Sequence, residues 1–418
     1  VGLPRSSLLA GPAGRTLLLL TGVNLLNYLD RFVVSALVES LRSEFGLSDL
    51  RLGVLMTAFI VVYTVASPVF GALGDRGRRP LLLAVGVGIW SVATALAGLA
   101  AGFASLLVAR AAVGIGEAAY ATISPGLIAD HFERARRGRA FALFFAAIPV
   151  GSALGFVVGG LVDRSFGWRA AFLAAGLPGL LLALLVARQP DPPRGALDDA
   201  PPAPPRPLLA SWRALAANRP FVLAVLGYAA YTFAVGALGF WMPAFLERTR
   251  GVPRADAAVQ FGAVVVVTGL VGTVAGGWLA DALRRRIARA DLWVCGVSAL
   301  LAAPLALVAL TAASPAVHYG SLVLGQLLLF ASTGPINDVI VAVVPPGERA
   351  TASSISIFVM HALGDVPSPP LVGAISDRSS LGTAILLVPA AILVAGAFWT
   401  WGALRRTAPT PNPNRALP

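Results

Sequence analysis

Four ionisable residues stand inside stretches that are otherwise apolar. Asp30 and Arg31 follow Asn27 and Tyr28 in the first long apolar run, and Arg110 and Glu117 lie in the fourth, ahead of Tyr120. Arg110 and Glu117 are seven residues apart, two helical turns, and so share a helix face. Counted from the starts of their runs, Asp30 and Glu117 each lie about 14 residues, or about 21 Å, along a helix, near the middle of a bilayer. An ionisable group at that depth is costly and marks a working site by default. The chemistry it suits is proton binding. A carboxyl taken out of water holds its proton more firmly and a nearby guanidinium releases it, so an arginine that moves can switch an acid. The other reading is a stabilising ion-pair cluster, although buried ion pairs are a poor source of stability. Later in the chain His361 and Asp365 are four apart on one face, followed by Pro367, Pro369 and Pro370. That pair suits a proton relay or a packing contact beside a proline-broken helix. Asn337 and Asp338 lie in the run before it.

The elements that must position these groups are membrane helices. Of 418 residues, 57% are hydrophobic and 12% charged, with a mean hydropathy of +0.79. A soluble domain carries about 25% charged residues, so this composition excludes a soluble enzyme, a disordered chain and a coiled coil. Twelve apolar segments are predicted at 16–40, 49–74, 80–101, 103–129, 138–162, 168–187, 219–246, 255–280, 288–312, 315–345, 348–376 and 380–404. Residues 188–218 include PDPPRGALDDAPPAPPRP, a Pro-rich polar linker that cannot span a bilayer. The expected organisation is an all-α membrane protein. It has a six-helix bundle over 1–187, a cytoplasmic linker over 188–218, a second bundle over 219–406 and a cytoplasmic tail over 407–418.

All basic residues are arginine, and the net charge is +12. Arginines sit in short clusters between apolar runs, which argues against nucleic acid as the partner. With the N-terminus inside, twenty-two fall in inner loops and eight in outer ones. The positive-inside rule then puts both termini in the cytoplasm of a multi-pass protein of the inner or plasma membrane. The first apolar run continues into a full span, so no cleavable signal peptide is expected. The single cysteine, Cys295, excludes an intrachain disulfide and a thiolate-rich metal site. No His-rich metal set or Ser-His-Asp arrangement is present, and a chain without lysine has no Walker motif. Neither an enzyme, a cofactor nor an ATP-driven pump is expected, and the chain is expected to act as a monomer.

One pattern recurs four times. Gly71 to Asp75, Gly159 to Asp163, Gly277 to Asp281 and Gly373 to Asp377 are each Gly-x-x-x-Asp at the end of the second helix in a group of three. Two copies end on the inner side and two on the outer. Four three-helix units of alternating orientation make two inverted-repeat pairs, the architecture of alternating-access carriers. The inner copies are longer: Gly71, Asp75 and Arg79 recur as Gly277, Asp281 and Arg285, each shifted by 206. This resembles the Gly-x-x-x-Asp-Arg-x-Gly-Arg-Arg loop of the major facilitator superfamily, with Arg78, Pro80 and Ala282 as departures. The resemblance implies a cytoplasmic gate built from Gly71, Asp75, Arg76, Arg79, Gly277, Asp281 and Arg285. Asp75 would meet a helix N-terminus or an arginine of the opposite half in the outward-facing state.

Three longer motifs are closer still. Asn27-Tyr28-Leu29-Asp30-Arg31, the run from Arg110 through Gly114, Gly116 and Glu117 to Tyr120, and His361-Ala-Leu-Gly364-Asp365-Val-Pro-Ser368-Pro369 resemble the Spinster family of that superfamily, as does Ile148-Pro149-Val-Gly151 in segment 5. Ala119 departs from the family's usual Ser. The resemblance implies proton-driven movement of lysolipid or sphingoid-type amphiphiles. It assigns proton coupling to Asp30 and Glu117, with Arg31 and Arg110 as charge partners that also meet the substrate head group. Asn27, Tyr28, Tyr120, His361 and Asp365 are cavity candidates, with Phe233, Phe240, Trp241 and Phe330 offering apolar surface. A carrier for hydrophobic drugs or organic anions uses the same machinery and stays open, as does a non-transporting membrane sensor.

Overall fold

The structure, a computed structural model, describes residues 8–9, 11–195, 197, 208–344 and 349–405. Among the described residues every regular element is helical. The first half comprises α1 (Gly11–Ala36), α2 (Val38–Phe45), α3 (Asp49–Arg76), α4 (Arg79–Ala97), α5 (Phe103–His131), α6 (Arg134–Phe166) and α7 (Trp168–Ala187). The second comprises α8 (Leu208–Ala217), α9 (Arg219–Arg250), α10 (Arg254–Arg284), α11 (Ala290–Thr311), α12 (Pro315–Phe330), α13 (Thr333–Ala342) and α14 (Arg349–Met360). It continues through a π-helical turn (His361–Asp365) to α15 (Ser368–Arg378), α16 (Leu381–Ala384) and α17 (Leu387–Leu404).

Among the described residues twelve stretches are long and apolar enough to cross a membrane, and each overlaps one of the twelve predicted segments. An even number of crossings returns the chain to the face where it began. We call that the terminal face and the opposite one the distal face. The short distal turn between α2 and α3 is fixed by left-handed Gly46 and by Ser48, whose side chain accepts the N–H of Arg51.

Four of the predicted segments are interrupted: segment 1 at Leu37, segment 12 at Ile385 and Leu386, and segments 10 and 11 nearer their middles. Segment 10 divides into α12 and α13 at Ala331 and Ser332, four residues before Pro335, whose nitrogen cannot donate to the Ala331 carbonyl. Segment 11 widens into the π-helical turn just ahead of Pro367, Pro369 and Pro370. The linker is less irregular than expected. It contains α8, and its first residues pack on the first half, where Arg194 donates to the carbonyls of Gly74 (2.7 Å) and Gly77 (2.5 Å). Residues 198–207 and the tail from 406 lie outside the described residues.

Within the first half α1 packs on α6, and α5 packs on both α3 and α4. The two halves meet along α6 with α10 and along α3 with α15. Gly160 permits the first of these seams, since a Cβ there would lie 2.9 Å from that of Ala258. Toward the terminal face α10 stands clear of the first half: Gly277 has nothing within 4 Å of where its Cβ would lie, and Val274 and Trp278 are each 72% exposed. The halves are bonded to each other toward the distal face, where Asp377 meets α3 and Arg248 meets Glu39.

Candidate functional site

The charged cluster is assembled from α1, α3, α4 and α5. The Gly114-Ile-Gly116-Glu117 run places the carboxylate. A Cβ at Gly114 would fall 2.5 Å from the Phe59 carbonyl of α3, and one at Gly116 would fall 2.4 Å from the Gly86 carbonyl of α4. Without side chains at these points α5 lies close to both neighbours, and Glu117 is fully buried beside them.

The two acids and two arginines form two separate pairs between α1 and α5. Arg31 donates through Nη2 to Glu117 Oε2 at 2.7 Å. Arg110 Nη1 stands 3.7 Å from Asp30 Oδ1, and Asp30 Oδ2 accepts the Thr94 hydroxyl of α4 at 2.5 Å. Phe59 lies against both arginines, its ring centre 5.0 Å from the Arg31 guanidinium and 5.1 Å from that of Arg110. Tyr28 and Tyr63 complete the surroundings of Arg31, at 4.9 and 5.4 Å. Aromatic faces attract a cation and so help hold a guanidinium withdrawn from water.

The pairs differ in access and tightness. The Arg31 side chain is 16% exposed, whereas those of Arg110 and Asp30 are 0% and 1%. Among the described residues Arg110 makes no hydrogen bond through any guanidinium nitrogen. A buried arginine held so loosely is expensive, which is the mark of a group kept for something other than stability. In this conformation Arg31 is therefore the more accessible of the two guanidiniums.

Tyr120 is 1% exposed, packs between Trp90 and Phe144, and donates to the Leu20 carbonyl. Phe240 and Trp241 are likewise core residues, at 1% and 0% exposure. Asn27 is buried, and Tyr28 is half-buried. In the second half His361 Nδ1 lies 2.9 Å from both carboxylate oxygens of Asp365, and the His361 ring meets Tyr63 edge to face at 6.1 Å. Tyr63 therefore touches the charged groups of both halves. It is four residues from Phe59 on α3, an aromatic pair on one face that could have been noticed in the sequence. Thr94 carried no such signal.

The terminal-face residues are placed less symmetrically than their spacing suggested. Arg79 is buried, paired with Asp130 of α5 and, at 2.8 Å, with Asp191 of the linker; its backbone N–H also reaches Asp191. Gly71 lies against Thr122, and Arg76 is exposed. The Asp75 side chain is outside the described residues. In the second copy Arg284, not Arg285, is the hub: it pairs with Asp281 (2.7 Å), Asp291 (2.7 Å) and Asp338 (2.5 Å), while Arg285 is exposed. The 206-residue shift is thus preserved in the backbone pattern and lost in the pairing.

Comparison with known proteins decides the family. The model of the Major Facilitator Superfamily matches residues 20–369. Protein spinster of Drosophila melanogaster is 36% identical over 376 residues, covering 87% of this chain and 62% of that protein, so the chain spans less than two thirds of that relative. Protein spinster homolog 1 of Homo sapiens is 39% identical over 380 residues, covering 85% of this chain and 71% of that protein. The chain belongs to the Spinster family of the Major Facilitator Superfamily. A crystal structure of a bacterial homolog to the human lysosomal transporter Spinster, inward-facing and unoccupied, is 25% identical with a TM-score of 0.80, covering 94% of this chain and 95% of that one. The D-xylose-proton symporter shares the fold at a TM-score of 0.70 and 21% identity. This Spinster-family chain is accordingly a multi-pass membrane transporter of small molecules. Its two charge pairs lie in the first half, next to the seam between the halves.

Proposed function

We propose that this chain is a proton-coupled carrier that moves lysolipid or sphingoid-type amphiphiles by alternating access. The observation that carries the reading is the contrast between its two pairs. Arg31–Glu117 is tight and partly accessible, while Arg110–Asp30 is loose and sealed. A phosphate oxygen suits the planar donor fork of Arg31. Because Glu117 holds Arg31, a head group arriving there competes with Glu117. Glu117 then loses its partner and takes up a proton. Binding of lipid and of proton become linked, each altering the other by the same factor. Asp30 with Arg110 forms the second protonation site, reached through movement of α1 against α5. His361 and Asp365 face this site from the second half through Tyr63. The weakly charged second half supplies an apolar path for the tail.

The arginine asymmetry makes the terminal face cytoplasmic, in the inner or plasma membrane of the cell, and the chain acts as a monomer. The conformation described is then inward-facing. In the outward-facing state the Gly71 to Arg79 turn and its Gly277 to Arg285 counterpart close the cytoplasmic side. Asp75→Asn is expected to lengthen the distance between the terminal-face ends of segments 2 and 11, read with paired spin labels. An unchanged distribution would leave these residues as topology signals.

Uptake into proteoliposomes tests the function itself. With an imposed pH gradient, single-chain phosphate-bearing lipids are expected to be transported and to outcompete sugars and amino acids. If lysolipids fail to compete while cationic dyes are moved, the chain is a drug carrier instead.

A further inference from the structure

The copies of the Gly-x-x-x-Asp repeat at the distal face are engaged in this conformation. Asp377 ends α15 in the second half, yet its carboxylate accepts the backbone N–H groups of Asp49 (2.8 Å) and Leu50 (3.0 Å), the first two residues of α3 in the first half. These are N–H groups that a helix cannot satisfy within itself, and a carboxylate is favoured at that positive helix end. Gly373 makes the approach possible: one turn before Asp377, a Cβ there would lie 2.3 Å from the Asp49 carbonyl. Ser376 between them donates to Asp49 Oδ2 at 2.6 Å. The Gly and Asp of the motif thus have distinct tasks, one admitting the backbone of α3 and the other capping it.

Deeper in the same seam, Thr57 of α3 donates to the Val366 carbonyl at 2.6 Å. Four residues beyond Val366 is Pro370, which has no N–H to offer. The hydroxyl of one half therefore replaces the helical donor that proline removed from the other. Around these bonds Arg248 of α9 holds Glu39 and, at 2.7 Å, Asp49. Arg254 of α10 donates at 2.7 Å to Ser40, whose hydroxyl donates in turn to Asp163, the aspartate of the other distal copy.

We infer that Asp377 is a helix cap supplied across the interface, and that with Thr57 it latches the distal side shut. Asp377 to α3 and Thr57 to Val366 each join the two halves, so neither bond survives opening of that side. The proposal does not depend on which molecule is carried.

Spin labels at Ala104→Cys and Ala316→Cys, both exposed near the distal face, on a Cys295→Ser background in lipid nanodiscs, read the opening. Asp377→Ala is expected to lower the ratio of closed to open distal-face distances about fivefold, the usual consequence of losing an N-cap. Asp377→Asn is expected to fall between the unsubstituted chain and Asp377→Ala, because its one amide oxygen can accept only one of the two N–H groups that Asp377 Oδ1 and Oδ2 now hold. Thr57→Val is expected to shift the ratio in the same direction as Asp377→Ala, and it carries the test alone if the alanine variant does not fold. Distance distributions in Asp377→Ala and Thr57→Val that match the unsubstituted chain would overturn the latch. An Asn variant as open as the Ala variant would overturn the capping role.

Discussion

Glu117→Gln is expected to abolish uptake driven by a pH gradient while leaving substrate exchange in place. Glutamine keeps an amide oxygen where Glu117 Oε2 now accepts from Arg31 at 2.7 Å, so the site retains its shape and one hydrogen bond. What it loses is the ability to take a proton when Arg31 turns to a substrate. Counterflow, in which labelled substrate exchanges for unlabelled with no gradient, needs binding and the conformational change but no net proton movement. The two assays on one variant therefore separate coupling from transport. Asp30→Asn is expected to abolish gradient-driven uptake too, at a larger cost in stability. It leaves the fully buried Arg110 without its counter-charge, and removing one partner of a buried pair costs about 3–5 kcal/mol. A lower thermal midpoint in detergent for Asp30→Asn than for Glu117→Gln would show that difference. Undiminished gradient-driven uptake in both variants would remove proton coupling from this cluster.

Much of this was legible because membrane physics writes coarse signals. An apolar run of span length has few folds open to it, so the twelve spans and the two bundles followed from hydropathy and the Pro-rich linker. The four charges stood out because little else in the first half is ionisable at that depth. What could not be read was which partner each charge takes. Arg31 adjoins Asp30 in sequence, but neighbouring residues on a helix point about 100° apart. The arginine therefore reaches Glu117, and Asp30 is left to Arg110 and Thr94. The same limit explains Arg285: a repeat offset aligns backbone positions, whereas pairing depends on where a long side chain finds a carboxylate, and Arg284 found three. The distal latch was hidden in plain view, since the repeat gave Asp377 a position without saying that its partner would be a helix end from the other half.

Arg31→Gln is expected to weaken binding of phosphate-bearing lysolipids by about 10- to 100-fold, the usual range for losing a hydrogen bond to a charged group, with little change in the dependence on tail length. The asymmetry follows from geometry. Arg31 is the accessible guanidinium of the cluster, ringed by Tyr28, Phe59 and Tyr63, and those rings remain when the charge is removed. Arg110→Gln is the matched control. It removes an equal charge from a site at 0% exposure, so its expected effect is on stability and coupling, with head-group preference preserved. Binding of a lysolipid series with one tail and varied heads, then one head and varied tails, measures both dependences in detergent. If Arg110→Gln changes head-group preference and Arg31→Gln does not, the substrate reaches the sealed pair. The opening between α1 and α5 that this requires would then be part of binding, and Asp30 would become the acid that competes with the lipid.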